Sequence, residues 1–414
     1  MSVDVREISL HDAVKFIVDN RGKTVPTADN GIPLIATNCI KNNGLFPVFE
    51  KIRFVSEETY KTWFRSHPEP GDIIFVNKGT PGRVCLVPNP VNFCIAQDMV
   101  ALRVDESVIY PKYLFAALRS DYIQNVIENM HVGTLIPHFK KSDFERLMIP
   151  VPDEVTQKYI GNLYYDLSMA IELNNQINKN LEEMAQAIFK SWFVDFEPFR
   201  DGEFEESELG LIPKGWRVGK LSDVGEIIGG GTPSKSKPEY YSEIGIPWIT
   251  PKDLSINKNK YISRGEIDIS ELGLRESSAR LMPKGTVLFS SRAPIGYIAI
   301  AKNAVTTNQG FKSVVPFENI SSEYIYLLLK NSINEIESRA TGSTFKEISG
   351  GEMKKVPIIL PPKEIIRKFN EIATTLGKTQ ASLEDENNIL MSIRDTLLPK
   401  LMSGEIRVPV EDVV

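Results

Sequence analysis

The chain is written twice. Gly31-Ile32-Pro33 recurs at Gly245 to Pro247, and PGDIIFVNKGTPG (Pro70 to Gly82) recurs as KGTVLFSSRAPIG (Lys284 to Gly296), both at an interval of 214 residues. Leu10 and Asp12 match Leu221 and Asp223 at 211, Gln97 matches Gln309 at 212, and Gly133 and Pro152 match Gly342 and Pro361 at 209. Solenoid units are far shorter, roughly 20 to 50 residues. The pattern is a tandem duplication of a whole domain with its connector, which predicts two similar working ends.

Each copy ends in a helical run whose heptad phase survives the duplication. In the first, Ile160, Leu167, Asn174, Leu181 and Ile188 form one core row, and Leu163, Ala170, Ile177 and Met184 the other. In the second the rows are Phe369, Leu376, Leu383, Leu390 and Leu397, then Ile372, Thr379, Glu386 and Ile393. Two amphipathic helices, each packed on its own domain, are the alternative to a paired coiled coil.

At 414 residues the chain exceeds what one core usually holds, so two globular domains plus helices is the natural partition. The N-terminus MSVDVREISLHDAV has no apolar signal core, and no apolar stretch nears a membrane span, so the expected location is cytoplasmic. Cys39, Cys85 and Cys94 make no CxxC pair, and His11, His67, His131 and His138 show no HxxxH spacing. Neither a disulfide framework nor a zinc site is indicated. The net charge of -6 is unevenly spread: five acids crowd into the linker DGEFEESELG, whereas residues 213–362 hold 20 basic against 15 acidic side chains. A local cationic face on the second domain is compatible with a nucleic-acid partner.

The organisation reads as residues 1–152, a first globular unit; 153–197, a helix; 198–212, an acidic linker; 213–362, a second globular unit; and 363–414, a second helix and tail. Short β-rich runs such as DIIFV, RVCLV and MVALRV, separated by Gly/Pro/Asn turns, precede the helical pattern YPKYLFAALRSDYIQNVIEN. TVLFS, YIAIA and KSVVPF precede SSEYIYLLLKNSINEIES in the same order, so the expected fold class is α+β, not alternating βαβ. At about 1.5 Å per residue each long helix spans about 55 to 60 Å. To pair within one chain the two must run antiparallel, giving two domains held apart by a two-helix rod with Asn174 setting register opposite Thr379 and Glu386.

Catalytic motifs fail on inspection. The Gly-Lys-Thr triplets at Gly22 and Gly377 have Ile17 and Ile372 where a P-loop needs glycine. The run Gly229-Gly230-Gly231 leads into Thr-Pro-Ser, not a helix start, and there is no GxSxG, HExxH or methyltransferase loop. No repeated acid pair invites general acid/base chemistry, so the chain is expected not to be an enzyme by itself.

Four strings carry a resemblance: AIFKSWFVDFEPF (Ala187 to Phe199), GLIPKGWRVGKLSDV (Gly210 to Val224), GGGTPSKSKPEYYSEIGIPWITPKDL (Gly229 to Leu254) and LLPKLMSGEI (Leu397 to Ile406). On a duplicated frame and in this order, the chain resembles the specificity subunit of type I restriction-modification enzymes along essentially its whole length. The resemblance implies two target recognition domains, each reading one half of a split double-stranded DNA sequence, separated by antiparallel coiled-coil helices that set the gap. It implies two modification (methyltransferase) subunits that methylate adenines and restriction subunits with ATP-driven endonuclease activity. This chain then needs no cofactor, and S-adenosylmethionine, ATP and Mg are expected on the partners. A free-standing DNA-binding regulator, and a related system with fused cleavage and methylation, are the alternatives.

Base reading requires paired donors and acceptors, and phosphate anchoring requires cations or hydroxyls. Four loop regions supply them twice: Arg21 and Lys23 with Lys235 and Lys237; Asn38 and Lys41 with Lys252; Asn77, Lys78 and Arg83 with Ser291 and Arg292; Gln97 with Asn308 and Gln309. The opposing reading is that the cations are solvated and the amides satisfy turn backbone. Phe189, Trp192, Phe193 and Phe196 are candidates for the modification-subunit interface, or else a core plug against the next domain.

Overall fold

A computed structural model describes residues 6–20, 23–130, 137–342 and 346–409. The chain divides into two compact units, one formed by Met1–Asn174 with Glu386–Val414 and the other by Asn175–Asp385. Each unit therefore holds one globular domain and one half of each long helix, Glu154–Phe193 and Lys363–Met402.

In the first unit the central sheet runs in the order Val14–Asp19, Met99–Val104, Ile73–Val76, Val84–Leu86, all antiparallel. The strand IIFV is wholly buried because both faces of the sheet are covered. Ile73 and Phe75 point to one core, with Leu114 and Phe115 of the helix Pro111–Arg119. Ile74 and Val76 point to another, with Cys39 and Phe93. A smaller sheet, Arg53–Val55, Ile32–Ile35, Cys94–Ile95, has one antiparallel and one parallel pairing.

The second unit repeats the plan. Gly225–Gly229, Lys312–Pro316, Val287–Ser291 and Ile295–Ala301 take the same order, with Tyr261–Ile262 added at the edge by a parallel pairing. Val287 and Phe289 again face one core, and Leu288 the other. The domain ends are tied in both copies: Arg6–Ser9 pairs antiparallel with Met148–Val151, and Arg217–Lys220 with Pro357–Leu360. Each domain thus leaves its sheet directly into a long helix. Asp153 starts the first by accepting from Thr156 N at 2.9 Å.

Within each unit the helix halves run antiparallel. In the first, Arg394 Nη1 reaches Ser168 Oγ at 3.5 Å and Asn174 Nδ2 donates to Asn387 Oδ1 at 3.0 Å. In the second, Gln380 Nε2 donates to Asn178 O at 3.2 Å, and the Phe189 and Phe369 rings lie 5.7 Å apart. The second heptad row is corrected by one residue. Ile177, Met184, Ile372, Thr379, Glu386 and Ile393 are exposed, whereas Ile171, Ala185, Ala373, Gln380, Asn387 and Arg394 are buried. The expected partners of Asn174 are accordingly replaced by Asn387. The seam accepts these polar side chains because each is hydrogen-bonded, which apolar periodicity does not register.

The acidic linker is also structured. Phe204–Ser207 and Gly210–Pro213 form a hairpin in which Gly210 takes a positive φ of 93° and Ser207 Oγ accepts from Leu209 N at 3.1 Å.

Arg119 is a buried cation that orders a loop. Its Nη2 donates to the carbonyls of Lys41 (3.3 Å), Gly44 and Val84 (2.8 Å), and its guanidinium lies 4.5 Å from the Phe115 ring centre. Arg119→Ala strands three carbonyls and is expected to lower unfolding free energy by about 2 to 4 kcal/mol, read by urea denaturation. A loss well under about 1 kcal/mol would show that water replaces the guanidinium without cost.

Candidate nucleic-acid interface

In each domain one residue at the end of a central strand ties three distant segments together. In the first unit Asn77 N donates to Asp98 O at 2.9 Å, and Asn77 O accepts from Phe139 N at 2.8 Å. In the second, Ser291 N donates to Gly310 O at 2.7 Å and Ser291 O accepts from Ile348 N at 3.1 Å. The next residue forms an antiparallel bridge in both copies, Lys78 with His138 and Arg292 with Glu347. The duplication therefore extends to individual hydrogen bonds, while the side chains on this frame differ.

The frame opens on a cleft of about 470 Å³ in the first unit, lined by Asp19, Asn20, Arg65, Asn77, Lys78, Gln97, Asp98, Val100, His138, Lys140 and Lys141. Three of the candidates read from sequence, Asn77, Lys78 and Gln97, meet here. Asn77 is buried and its Nδ2 donates to Phe139 O at 3.0 Å, so it holds the frame. Lys141 pairs with Asp19, whereas Arg65, Lys78 and Lys140 form no salt bridge among the described residues. Asn20 donates its amide to Ile95 O, and its Oδ1 is buried with no partner among the described residues. The cleft thus offers cations, the Gln97 amide and a histidine as donors suited to phosphate and acceptor-rich purine edges, with Asn20 Oδ1 as an acceptor.

On the corresponding frame of the second unit, Glu347 pairs with Arg292 at 3.3 Å and Lys312 at 3.5 Å. Lys312 Nζ also reaches the Ser291 hydroxyl at 3.5 Å, and that hydroxyl donates to Gly310 O at 3.1 Å. Gln309 is exposed and its Oε1 accepts from Thr232 Oγ1. Asn308 Oδ1 accepts from Gly310 N at 2.9 Å, the turn-satisfying role.

The remaining candidates lie elsewhere. Arg21 lies outside the described residues, and Lys23 and Lys235 are exposed. Lys237 donates to the Tyr240 hydroxyl at 2.8 Å. Asn38 and Lys41 both engage Glu50, the amide at its carbonyl and the ammonium at its carboxylate. Lys252 pairs with Glu266 at 2.5 Å, and Arg83 is half-buried and is not among the residues lining the cleft. Asn20, Arg65, His138, Lys140, Lys141, Lys312 and Glu347 were not singled out from sequence. The 209-residue interval of Gly133 and Gly342 relates His138 to Glu347 and was the available signal.

Of the expected interface rings, Phe189, Phe193 and Phe196 are buried at 2%, 6% and 8% exposure in an aromatic core with Trp216, Tyr324 and Phe369. They are a core plug, the alternative left open by the sequence, because the unit's own rings occupy their faces. Trp192 is half-buried.

Burial pushes the Cys94 thiol up to about 12 and the Cys85 thiol higher still. No group of three His, Cys, Asp or Glu side chains among the described residues has metal-holding geometry. No described helix is long and apolar enough to cross a membrane.

The model of the type I restriction modification DNA specificity domain matches residues 3–183 and 213–391, one domain and most of one helix each time. The type I restriction enzyme HindI specificity subunit of Haemophilus influenzae is 29% identical over 403 residues, covering 81% of this chain and 86% of that protein. The MjaIX specificity subunit of Methanocaldococcus jannaschii is 45% identical over 193 residues, 46% of this chain and 44% of the relative. Among solved structures, the S subunit of a type I restriction-modification system from M. genitalium shares the fold, with a TM-score of 0.56 at 18% identity and 97% of this chain and 96% of that one covered.

Both ion pairs of Glu347 are part-exposed, and such pairs contribute little. Glu347→Gln is therefore expected to shift unfolding free energy by less than about 1 kcal/mol, measured by urea denaturation. A larger loss would make the carboxylate a structural strut and not a group available to a ligand.

Proposed function

The chain belongs to the family of type I restriction-modification DNA specificity domains, and from that membership and its twice-built frame we propose that it is the non-catalytic subunit reading a split DNA target for a type I complex. The observation that carries the reading at residue level is one hydrogen-bonded frame built twice with different side chains on it. Gln97, His138 and Arg65 in the cleft of the first unit face a half-site with different groups from the Arg292, Lys312 and Glu347 set on the frame of the second. Glu347 adds an acceptor, which suits a cytosine amino group, where the first frame carries His138. Two unlike half-sites follow.

Methylation belongs to two modification subunits that carry S-adenosylmethionine, and cleavage to restriction subunits using ATP and Mg, assembled in the cytoplasm. Their docking surface lies on the outward faces of the long helices, where apolar side chains stand uncovered. In the first unit these include Leu173 (56% exposed) and Ile389 (60%), and in the second Ile177 and Met184. Met184→Glu with Ile177→Glu should reduce co-purification of the modification subunit while leaving the melting temperature unchanged. Undiminished co-purification would move the interface elsewhere.

The direct test co-expresses the chain with its modification subunit and maps methylated adenines across a host genome. A split motif with unlike halves at one spacing is the expected result, and an assembled complex that leaves no new methylation would overturn the reading. Gln97→Ala should relax one half only, because base contacts specify. Lys78→Ala should weaken binding evenly across sequences and reduce the salt slope by about one unit.

A further inference from the structure

The second unit buries a group of ionised side chains far from its reading frame in sequence and unused by it. Lys260, 7% exposed, stands just before the edge strand Tyr261–Ile262. Its Nζ lies 3.2 Å from Glu182 on the first long helix and donates to Gln380 on the second at 2.9 Å. The backbone N–H groups of Lys260 and Tyr261 donate to the two carboxylate oxygens of Glu384 at 2.7 and 3.2 Å. Lys330, from the domain helix Ser322–Asn331, closes the group on Glu182 at 2.7 Å. One turn along, Gly377 lets the helix approach so closely that a Cβ there would sit 2.3 Å from the Tyr261 hydroxyl.

Burying ions is expensive, and well-packed apolar residues would serve stability as well or better. Ionic hydrogen bonds, in contrast, have direction and tolerate little rotation. The duplication does not repeat these side chains: Ile171 and Asn175 stand where the 209-residue interval puts Gln380 and Glu384, and Met391 stands where it puts Glu182. In the first unit the domain meets its helix through uncharged acceptors, Tyr110 N with Gln157 at 2.9 Å, and the Tyr110 hydroxyl and Lys112 Nζ with Asn162 Oδ1 at 2.8 and 3.1 Å.

We propose that the Lys260 junction fixes the angle at which the second domain is held on its helix segments, and thereby selects the gap between half-sites without touching DNA. The proposal rests on the split-target reading above. Lys260, Gln380 and Glu384 are positioning residues in this account. A domain free to rock on its mount would present its reading frame over a range of phases, and each base pair of gap rotates the second half-site around the duplex.

Burial pushes Glu182 up, but Lys260 and Lys330 outweigh it and hold the carboxyl at about 2. Burial raises Glu384 to about 7 against the opposing effects of the Lys260 and Tyr261 N–H groups and of the Lys302 and Lys260 charges. The folded unit then binds more protons at Glu384 than the unfolded chain does. Its contribution is fully present below the ordinary value of 4.5 and is lost as pH rises through 7.

The experiment uses the assembled methyltransferase complex and a DNA library that keeps both half-sites and varies the gap by one base pair in either direction. With Lys260→Ala, methylation at the neighbouring gaps relative to the cognate gap should rise about tenfold, the worth of one charge-assisted hydrogen bond, with both half-sites unchanged. Gln380→Leu removes a neutral partner of Lys260 together with the bond to Asn178 O, leaves the Lys260–Glu182 pair in place and should move the same ratio less, so a poorly folding first variant still leaves a reading. Glu384→Gln should flatten the loss of stability between pH 5 and 8, which a purely apolar mount would not show. Assembled variants that keep the single wild-type gap overturn the proposal. A wild-type complex that methylates no split sequence overturns the underlying reading instead, and the two failures are told apart by the wild-type lane alone.

Discussion

Three chain segments about 20 to 60 residues apart converge on a single backbone position in each domain, and in the first a cleft opens beside that convergence. Asn77 bonds to Asp98 and Phe139, and Ser291 to Gly310 and Ile348. Backbone groups buried at such a junction must be paired, so the frame leaves little freedom for insertion or slippage. Side chains beside it carry no such obligation. That division explains how two copies drift apart in what they display, Lys78 and His138 against Arg292 and Glu347, while the bonds beneath them stay superimposable in pattern.

The central strands follow the same economy. IIFV and VLFSS are buried on both faces, and their alternate residues feed separate cores in both units. One core receives the domain helix and the other the small mixed sheet. A substitution on such a strand reaches only one of the two cores, which confines its packing cost.

Much of this was legible in the sequence because it is periodic or repeated. The interval of 214 residues locates the duplicated strands, and the run after Pro152 reads as a helix over the span that the structure gives as Glu154–Phe193. The failures share one cause: they involve polar groups whose partners are remote in the chain. Apolar periodicity put Ile372 and Thr379 in the seam, whereas Gln380 and Arg394 occupy it by bonding to Asn178 and Ser168. Arg65 and Lys140 enter the cleft from segments that share no local pattern with Asn77. Asn308 and Lys252 matched the chemistry of a base reader, but each is engaged within its own domain, by Gly310 N and by Glu266.

The charge distribution bears on why such a chain works in company. Its net charge is -6, yet residues 213–362 carry five more cations than acids. Within that domain many of the cations are committed: Lys252 to Glu266, Lys260 and Lys330 to Glu182, Arg292 and Lys312 to Glu347. Non-specific affinity for DNA scales with the number of phosphates neutralised. A subunit that spends its cations on internal geometry therefore has little attraction for random duplex. Its discrimination then rests on the few groups left facing each frame, such as Arg65, Lys78 and Lys140 in the first unit. Modest solitary affinity combined with a rigidly held reading frame is the arrangement expected of a specificity element and not of a free-standing DNA-binding protein.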